Sequence, residues 1–137
     1  ELLSRPCYQL ACGLRRVQLF ERHRNAVGLR RGTGDLAGAN LRIGHGCSPC
    51  RFTGYAGRVG IFELLTLNDD VKETLLARKT VQEIRRISIE TAGLVTLCED
   101  GIAKAARGEV SLPEVLHRLP RAVRPRPLHE LRRLLGE

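Results

Sequence analysis

The sequence has no tryptophan and no methionine, and only three Phe and two Tyr among its 137 residues. Aromatic faces on which unpaired bases could stack are scarce, which argues against a single-strand nucleic-acid platform. Lysine is nearly missing as well, at three of the 23 basic residues. No apolar run approaches the ~18 residues that a membrane-spanning helix needs. The chain opens on Glu1-Leu2-Leu3, with neither Met nor a basic stretch before an apolar one. No secretory leader is read there, and the expectation is a piece of a longer chain.

What is present fits one soluble globular unit: 42% hydrophobic and 28% charged residues. A chain of this length buries roughly two thirds of the surface that its unfolded form exposes. It needs no disulfide or metal merely to fold, so a cysteine cluster asks for a reason. The net charge of +8 is unevenly placed. Residues 1–60 hold ten Arg against three acids, residues 61–118 hold eight basic against ten acidic groups, and residues 119–137 hold five Arg against two Glu. Arginine suits phosphate and carboxylate contacts, although Arg-rich usage equally fits codon bias.

Residues 13–46 are Arg- and Gly-rich and mostly loop by composition, with a short helix suggested over 14–23 (Leu14, Val17 and Phe20). Residues 58–65, Arg-Val-Gly-Ile-Phe-Glu-Leu-Leu, read as a strand after a Gly-rich turn. Four short helices follow. Asn68-Asp69-Asp70 places acids at a first N-terminus. Thr80…Glu83, Thr96…Glu99 and Ser111…Glu114 each fit a capping box, in which the hydroxyl and the carboxylate satisfy each other's backbone N–H groups. Val81, Ile84, Ile87 and Ser88 mark the apolar face of the second helix. Gly93, Gly108 and Pro120 supply stop signals. After Pro120 a loose tail with a marginal helix over Leu128–Leu135 is expected. The fold class is therefore mostly α with a short β segment. A loop-rich arm over about 1–66 leads into a helical unit over 67–120 and a flexible Arg/Pro-rich tail over 121–137.

Of the five cysteines, Cys47-Ser-Pro-Cys50 is a C-x2-C knuckle and Cys7…Cys12 a looser C-x4-C pair. Two such pairs on separate turns match tetrahedral zinc. Four thiolates leave no open position for water, so the metal would be structural. The competing readings are scattered buried thiols, a Cys47–Cys50 redox pair without the usual βαβ surroundings, disulfides in an exported chain, and ligation by His23 or His45. Cys98, alone on the first turn of a helix, reads as a small buried hydrophobe.

The run from Gly46 to Glu63, Gly-Cys-Ser-Pro-Cys-Arg-Phe-Thr-Gly-Tyr-Ala-Gly-Arg-Val-Gly-Ile-Phe-Glu, resembles the zinc knuckle and following strand of the traffic ATPases of type II secretion and type IV pilus assembly. That pattern is G-C-x-x-C-x-x-T-G-Y-x-G-R-x-G-I-x-E, and every fixed position matches. The likeness continues through Asp69-Asp70, Glu83-Ile84-Arg85, Thr96-Leu97, Glu99-Asp100-Gly101, Lys104 and Ser111-Leu-Pro-Glu-Val-Leu116. Leu2–Cys7 looks like the family's strand into its first cysteine pair. Three features depart from the family: the wider Cys7…Cys12 spacing, Cys98 where a basic residue is common, and the tail after Pro120.

The resemblance implies a C-terminal, zinc-stapled structural module of such an ATPase. Cys7, Cys12, Cys47 and Cys50 would hold Zn²⁺. Gly54, Gly57 and Gly60 would permit tight turns, Glu63 would serve as a motif residue, and Arg58 would pair with a carboxylate or else point into water. The nucleotide-binding P-loop, G-x4-G-K-[ST], is missing, since the sequence contains no Gly-Lys pair, and so is a Walker-B strand. The chain alone is therefore not expected to hydrolyse ATP, and ATP and Mg²⁺ would belong to the rest of the parent. Implied partners are the ATPase core, neighbouring subunits of a hexamer and the inner-membrane platform protein. The implied location is cytoplasmic, peripheral to the inner membrane. The alternative is a zinc-ribbon nucleic-acid-binding domain, motivated by the basic residues 1–60 and opposed by the sparse aromatics.

Overall fold

A computed structural model describes residues 2–7, 15–16, 38–120 and 124–136. Leu2–Pro6 (β1) and Tyr55–Gly60 (β4) form an antiparallel pair, with a register irregularity between Ser4 and Pro6. Arg15–Arg16 (β2) pairs antiparallel with Arg42–Ile43 (β3). Five helices follow among the described residues: Asp69–Leu76 (α1), Val81–Thr91 (α2), Leu97–Arg107 (α3), Leu112–Arg118 (α4) and Leu128–Leu135 (α5). The architecture is mostly helical with short strand pairs, as the sequence suggests.

The strand expected over 58–65 lies instead at 55–60. The register explains the shift. The residues paired with β1 run from Tyr55, opposite Pro6, to Gly60, opposite Leu2. Arg15–Arg16, inside the suggested 14–23 helix, is extended, and the rest of that stretch lies outside the described residues.

Helix α3 is the centre of the molecule. Cys98 to Ala103, Ala105 and Ala106 are all buried. Ile102, Ala105 and Cys98 join Leu3, Leu41, Ile61, Val110, Leu112, Val115 and Leu119 in one apolar cluster. Small side chains let neighbours approach closely. A Cβ on Gly101 would stand 2.8 Å from Leu119 Cδ1 and 3.0 Å from Val115 Cγ1, so α4 packs against α3 across a glycine. Cys98 is a core residue, in keeping with its reading as a small hydrophobe.

Local capping chemistry fixes the helix starts. Thr80 and Thr96 each form the full reciprocal box with Glu83 and Glu99, and Asn68 Oδ1 accepts from Val71 N. At Ser111 only half of the box is made. Ser111 Oγ accepts from Glu114 N, while the Glu114 carboxylate turns to Ser4 N at 3.4 Å. The α1–α2 hairpin buries only Val71 and Ser88 within its helices. Val81, expected on the inward face of α2, is 80% exposed.

In the tail, the helix expected over Leu128–Leu135 is present with those limits, and it is seated instead of loose. Leu128 and Leu131 are buried, and α5 packs on α3.

Candidate metal centre

The hairpin of β1 and β4 carries the site. β1 runs directly into Cys7, whose N–H donates to the Gly54 carbonyl at 2.8 Å. Gly54 stands just before β4, so strand pairing delivers Cys7 to the knuckle. The knuckle itself is a sequence of tight turns. Arg51 N donates to Ser48 O at 2.9 Å, Phe52 N to Cys47 O at 2.8 Å and Thr53 N to Cys50 O at 3.1 Å. Arg51 and Phe52 both take left-handed backbone conformations, with φ 52° and 60°. Such conformations are held only where the surroundings over-determine them. Gly46 provides part of that constraint, since at φ 107° a Cβ there would stand 2.5 Å from the Phe52 carbonyl oxygen.

Cys7, Cys47 and Cys50 are buried together, with their sulfurs within 4.8 Å of one another. Cys7 Sγ lies 3.7 Å from Cys47 Sγ, and Cys47 Sγ lies 3.4 Å from Cys50 Sγ. Four sulfurs held at about 2.3 Å from zinc stand about 3.8 Å from each other along the tetrahedron's edges. The three thiols therefore have the spacing of one face of a tetrahedral thiolate site. Cys47 N donates to Cys50 Sγ at 3.1 Å, an arrangement that supports a charged sulfur. These donors fit zinc. Cys12, the expected fourth ligand, and His23 lie outside the described residues. His45 is exposed and stands outside the cluster.

The remaining motif residues have distinct places. Gly54 and Gly57 both take φ 78°. Gly60 has ordinary backbone and instead leaves room for the Phe62 ring, whose Cζ would be 2.6 Å from a Cβ there. Arg58 is exposed on β4, and among the described residues no carboxylate pairs with it. Glu63, in the segment after β4, ties two helices together. Its Oε2 accepts from Arg85 Nη2 on α2 at 2.9 Å and from Leu97 N, the first residue of α3, at 3.0 Å. A carboxylate at that helix N-terminus is also favoured by the helix dipole.

Two polar centres escape sequence reasoning. Asp100 Oδ2 accepts from Phe62 N at 2.9 Å and pairs with Lys104, whose Nζ also donates to Gly60 O at 3.0 Å. This pair locks the end of β4 onto α3. Glu99 receives the Arg126 guanidinium from the tail. Burial pushes the Glu99 carboxyl up, but hydrogen bonds from Arg126 and the Thr96 backbone, with the guanidinium charge, outweigh it and hold Glu99 below the ordinary carboxylate value. Glu99 is legible locally only as the capping partner of Thr96 and Asp100 only as an i,i+4 partner of Lys104, while Arg126, Gly60 and Phe62 lie far off in sequence.

The β1–β4 hairpin thus gathers three knuckle cysteines, a set that could hold a metal ion, beside a helical module. The chain belongs to the family described as type II/IV secretion system protein, whose model matches residues 16–117. It is similar to the type IV pilus assembly ATPase PilB of Thermus thermophilus, with 43% identity over 84 residues, 61% of this chain and 9% of that protein. It is also similar to the type II secretion system protein E of Xanthomonas campestris, with 41% identity over 64 residues, 47% of this chain and 11% of that protein. The pilus assembly ATPase TfpB of Acinetobacter baylyi is 33% identical over 75 residues, 55% of this chain and 13% of that protein. The chain thus matches about a tenth of the length of these curated relatives. Among the described residues no helix is long and apolar enough to cross a membrane.

Proposed function

We propose that this chain is a zinc-stapled structural and interaction module of a secretion or pilus-assembly ATPase. In this reading it contributes to subunit packing and to coupling of ATP hydrolysis to the inner-membrane machinery, and is not catalytic alone. The single observation that carries the reading is the buried Cys7–Cys47–Cys50 cluster at the root of the β1–β4 hairpin, in a chain of this family. Cys12 supplies the fourth thiolate. The metal's role is mechanical: it holds β1 against the knuckle, and β1 carries Leu3 into the main core.

A second feature supports packing against a larger body. Phe62, Leu64 and Leu67 in the 61–68 segment, with Leu76 and Val81 at the α1–α2 turn, are each more than half exposed. Exposed apolar groups in such number mark an interaction surface. The ATPase core and adjoining subunits of a ring are its proposed partners, with the inner-membrane platform protein beyond them and the cytoplasm as the location. The test is metal analysis of chelator-free protein. About one zinc per chain is expected, falling to near zero in Cys47→Ser with loss of protection of the three remaining site thiols. A folded, metal-free wild type with four freely titrating thiols would refute the reading.

A further inference from the structure

The family match ends at residue 117, yet the described part of the chain beyond it is seated on the body with dense, specific contacts. Arg126 makes four hydrogen bonds there. Its backbone N and its Nε donate to Glu99 Oε1 at 3.0 and 2.9 Å, and Nη2 donates to Glu99 Oε2 at 2.8 Å and to the Leu94 carbonyl at 2.7 Å. This is a bidentate fork on a carboxylate, with both side chains largely out of water at 17% and 5% exposure. Arg delivers such a fork and Lys does not. Pro127 then sets the start of α5, and one turn separates its two anchors, Leu128 at 2% and Leu131 at 0% exposure. Leu134 reaches the α2–α3 turn, where a Cβ on Gly93 would be 3.6 Å from its Cδ2.

We propose that the α2–α3 turn and the first half of α3 form a peptide-docking groove. It recognises the pattern Arg-Pro-Leu-x-x-Leu, and residues 124–136 are its intramolecular occupant. The carboxylate of Glu99 reads the guanidinium, the Leu94 carbonyl orients it, and the apolar face beside α3 takes the two leucines. Glu99 is doubly committed: its Oε2 also accepts from Thr96 N at 3.0 Å as part of the α3 cap. Occupation of the groove and order at the start of α3 are thereby one event. Covalent attachment gives the strap an effective concentration on the order of millimolar. A free peptide of the same sequence therefore competes poorly until the strap is weakened.

The test uses the full chain. Amide exchange over 128–135 should be at least tenfold slower in wild type than in Arg126→Ala, with Arg126→Lys in between. The fluorescent peptide of residues 121–137 should bind the Arg126→Ala chain at least tenfold tighter than it binds wild type. It should also bind at least tenfold tighter than the same peptide carrying the Ala substitution. If the Arg126→Ala chain does not fold, Leu131→Ala, which weakens the strap and keeps the guanidinium, serves for both measurements. Zinc content is expected to stay unchanged throughout, which separates failure here from failure of the metal reading. Unprotected amides over 128–135 in wild type, or peptides that bind alike with and without Arg126, would overturn the groove.

Discussion

Gly54 and Gly57 share the same φ of 78°, but their surroundings differ. A Cβ on Gly54 would collide with the Gly44 carbonyl, whereas one on Gly57 would meet only Arg5 Cδ at 3.9 Å. Both substitutions to Ala carry a left-handed penalty of about 1–2 kcal/mol, and Gly54→Ala adds about 1–3 kcal/mol for the forced backbone shift. Urea unfolding should therefore rank Gly54→Ala well below Gly57→Ala in stability, and equal losses would refute the close-approach argument. Glu99 gives a second prediction at this scale. Its folded pKa lies below the ordinary value of 4.5. The associated stability is present above that ordinary value and is lost as pH falls through the lower folded one. Wild type should therefore weaken on acidification below about pH 4.5, and Glu99→Gln should show a flatter profile there. At neutral pH Glu99→Gln should be less stable by about 3 kcal/mol, because Arg126 keeps its charge with its carboxylate gone. A profile as steep as wild type would place the acid sensitivity elsewhere. Cys47 and Cys50 are readable in the sequence because a C-x2-C knuckle is a local object. Glu99 reads there as a capping residue only, because its partner lies 27 positions away.

Helices were the legible elements, for a physical reason. Thr80, Thr96, Asn68 and Ser111 satisfy backbone donors within three residues, so their signals survive without knowledge of the fold. Strand limits depend on a distant partner, and β4 covers the residues that face Leu2 to Pro6. The 128–135 helix looked marginal because isolated short helices are, and only its seat on α3 orders it. Helix packing also depends on what is small. In Gly101→Ala the new methyl would press on Leu119 and Val115. The intrusion is expected to destabilise by about 1–3 kcal/mol, partly offset by about 1 kcal/mol of helix propensity. Leu119→Ala would open the same space. In a double-mutant cycle the pair should therefore be coupled by at least ~0.5 kcal/mol in the compensating direction, and strict additivity would show that the two helices do not meet at that glycine.

Across the whole molecule, the thiol cluster and the apolar core are separate groups of buried residues, yet β1 belongs to both. Leu3 is fully buried in the core, and four residues later, just past the strand, Cys7 enters the thiol cluster. Ile61 does the same for β4, following the knuckle into the core one residue after the strand ends. A metal held by the cluster would act on the helical unit through two strands instead of through direct contact. Binding to the folded state alone stabilises it by mass action, and the thiolates must be assembled before the metal can be held. Chelation should therefore lower the melting temperature of the entire chain, by on the order of 10 °C if several kcal/mol are lost. Amide exchange should accelerate first in β1, in 44–54 and in β4. The cap of α3 should follow because Lys104 and Asp100 grip Gly60 and Phe62. The α1–α2 hairpin, which shares neither strand nor core cluster, should respond least. Uniform acceleration in α1 and α2 alongside β1 would show that the module has one cooperative core and no strand-borne linkage. An unchanged melting temperature after complete metal removal would show that the cluster does not staple the fold.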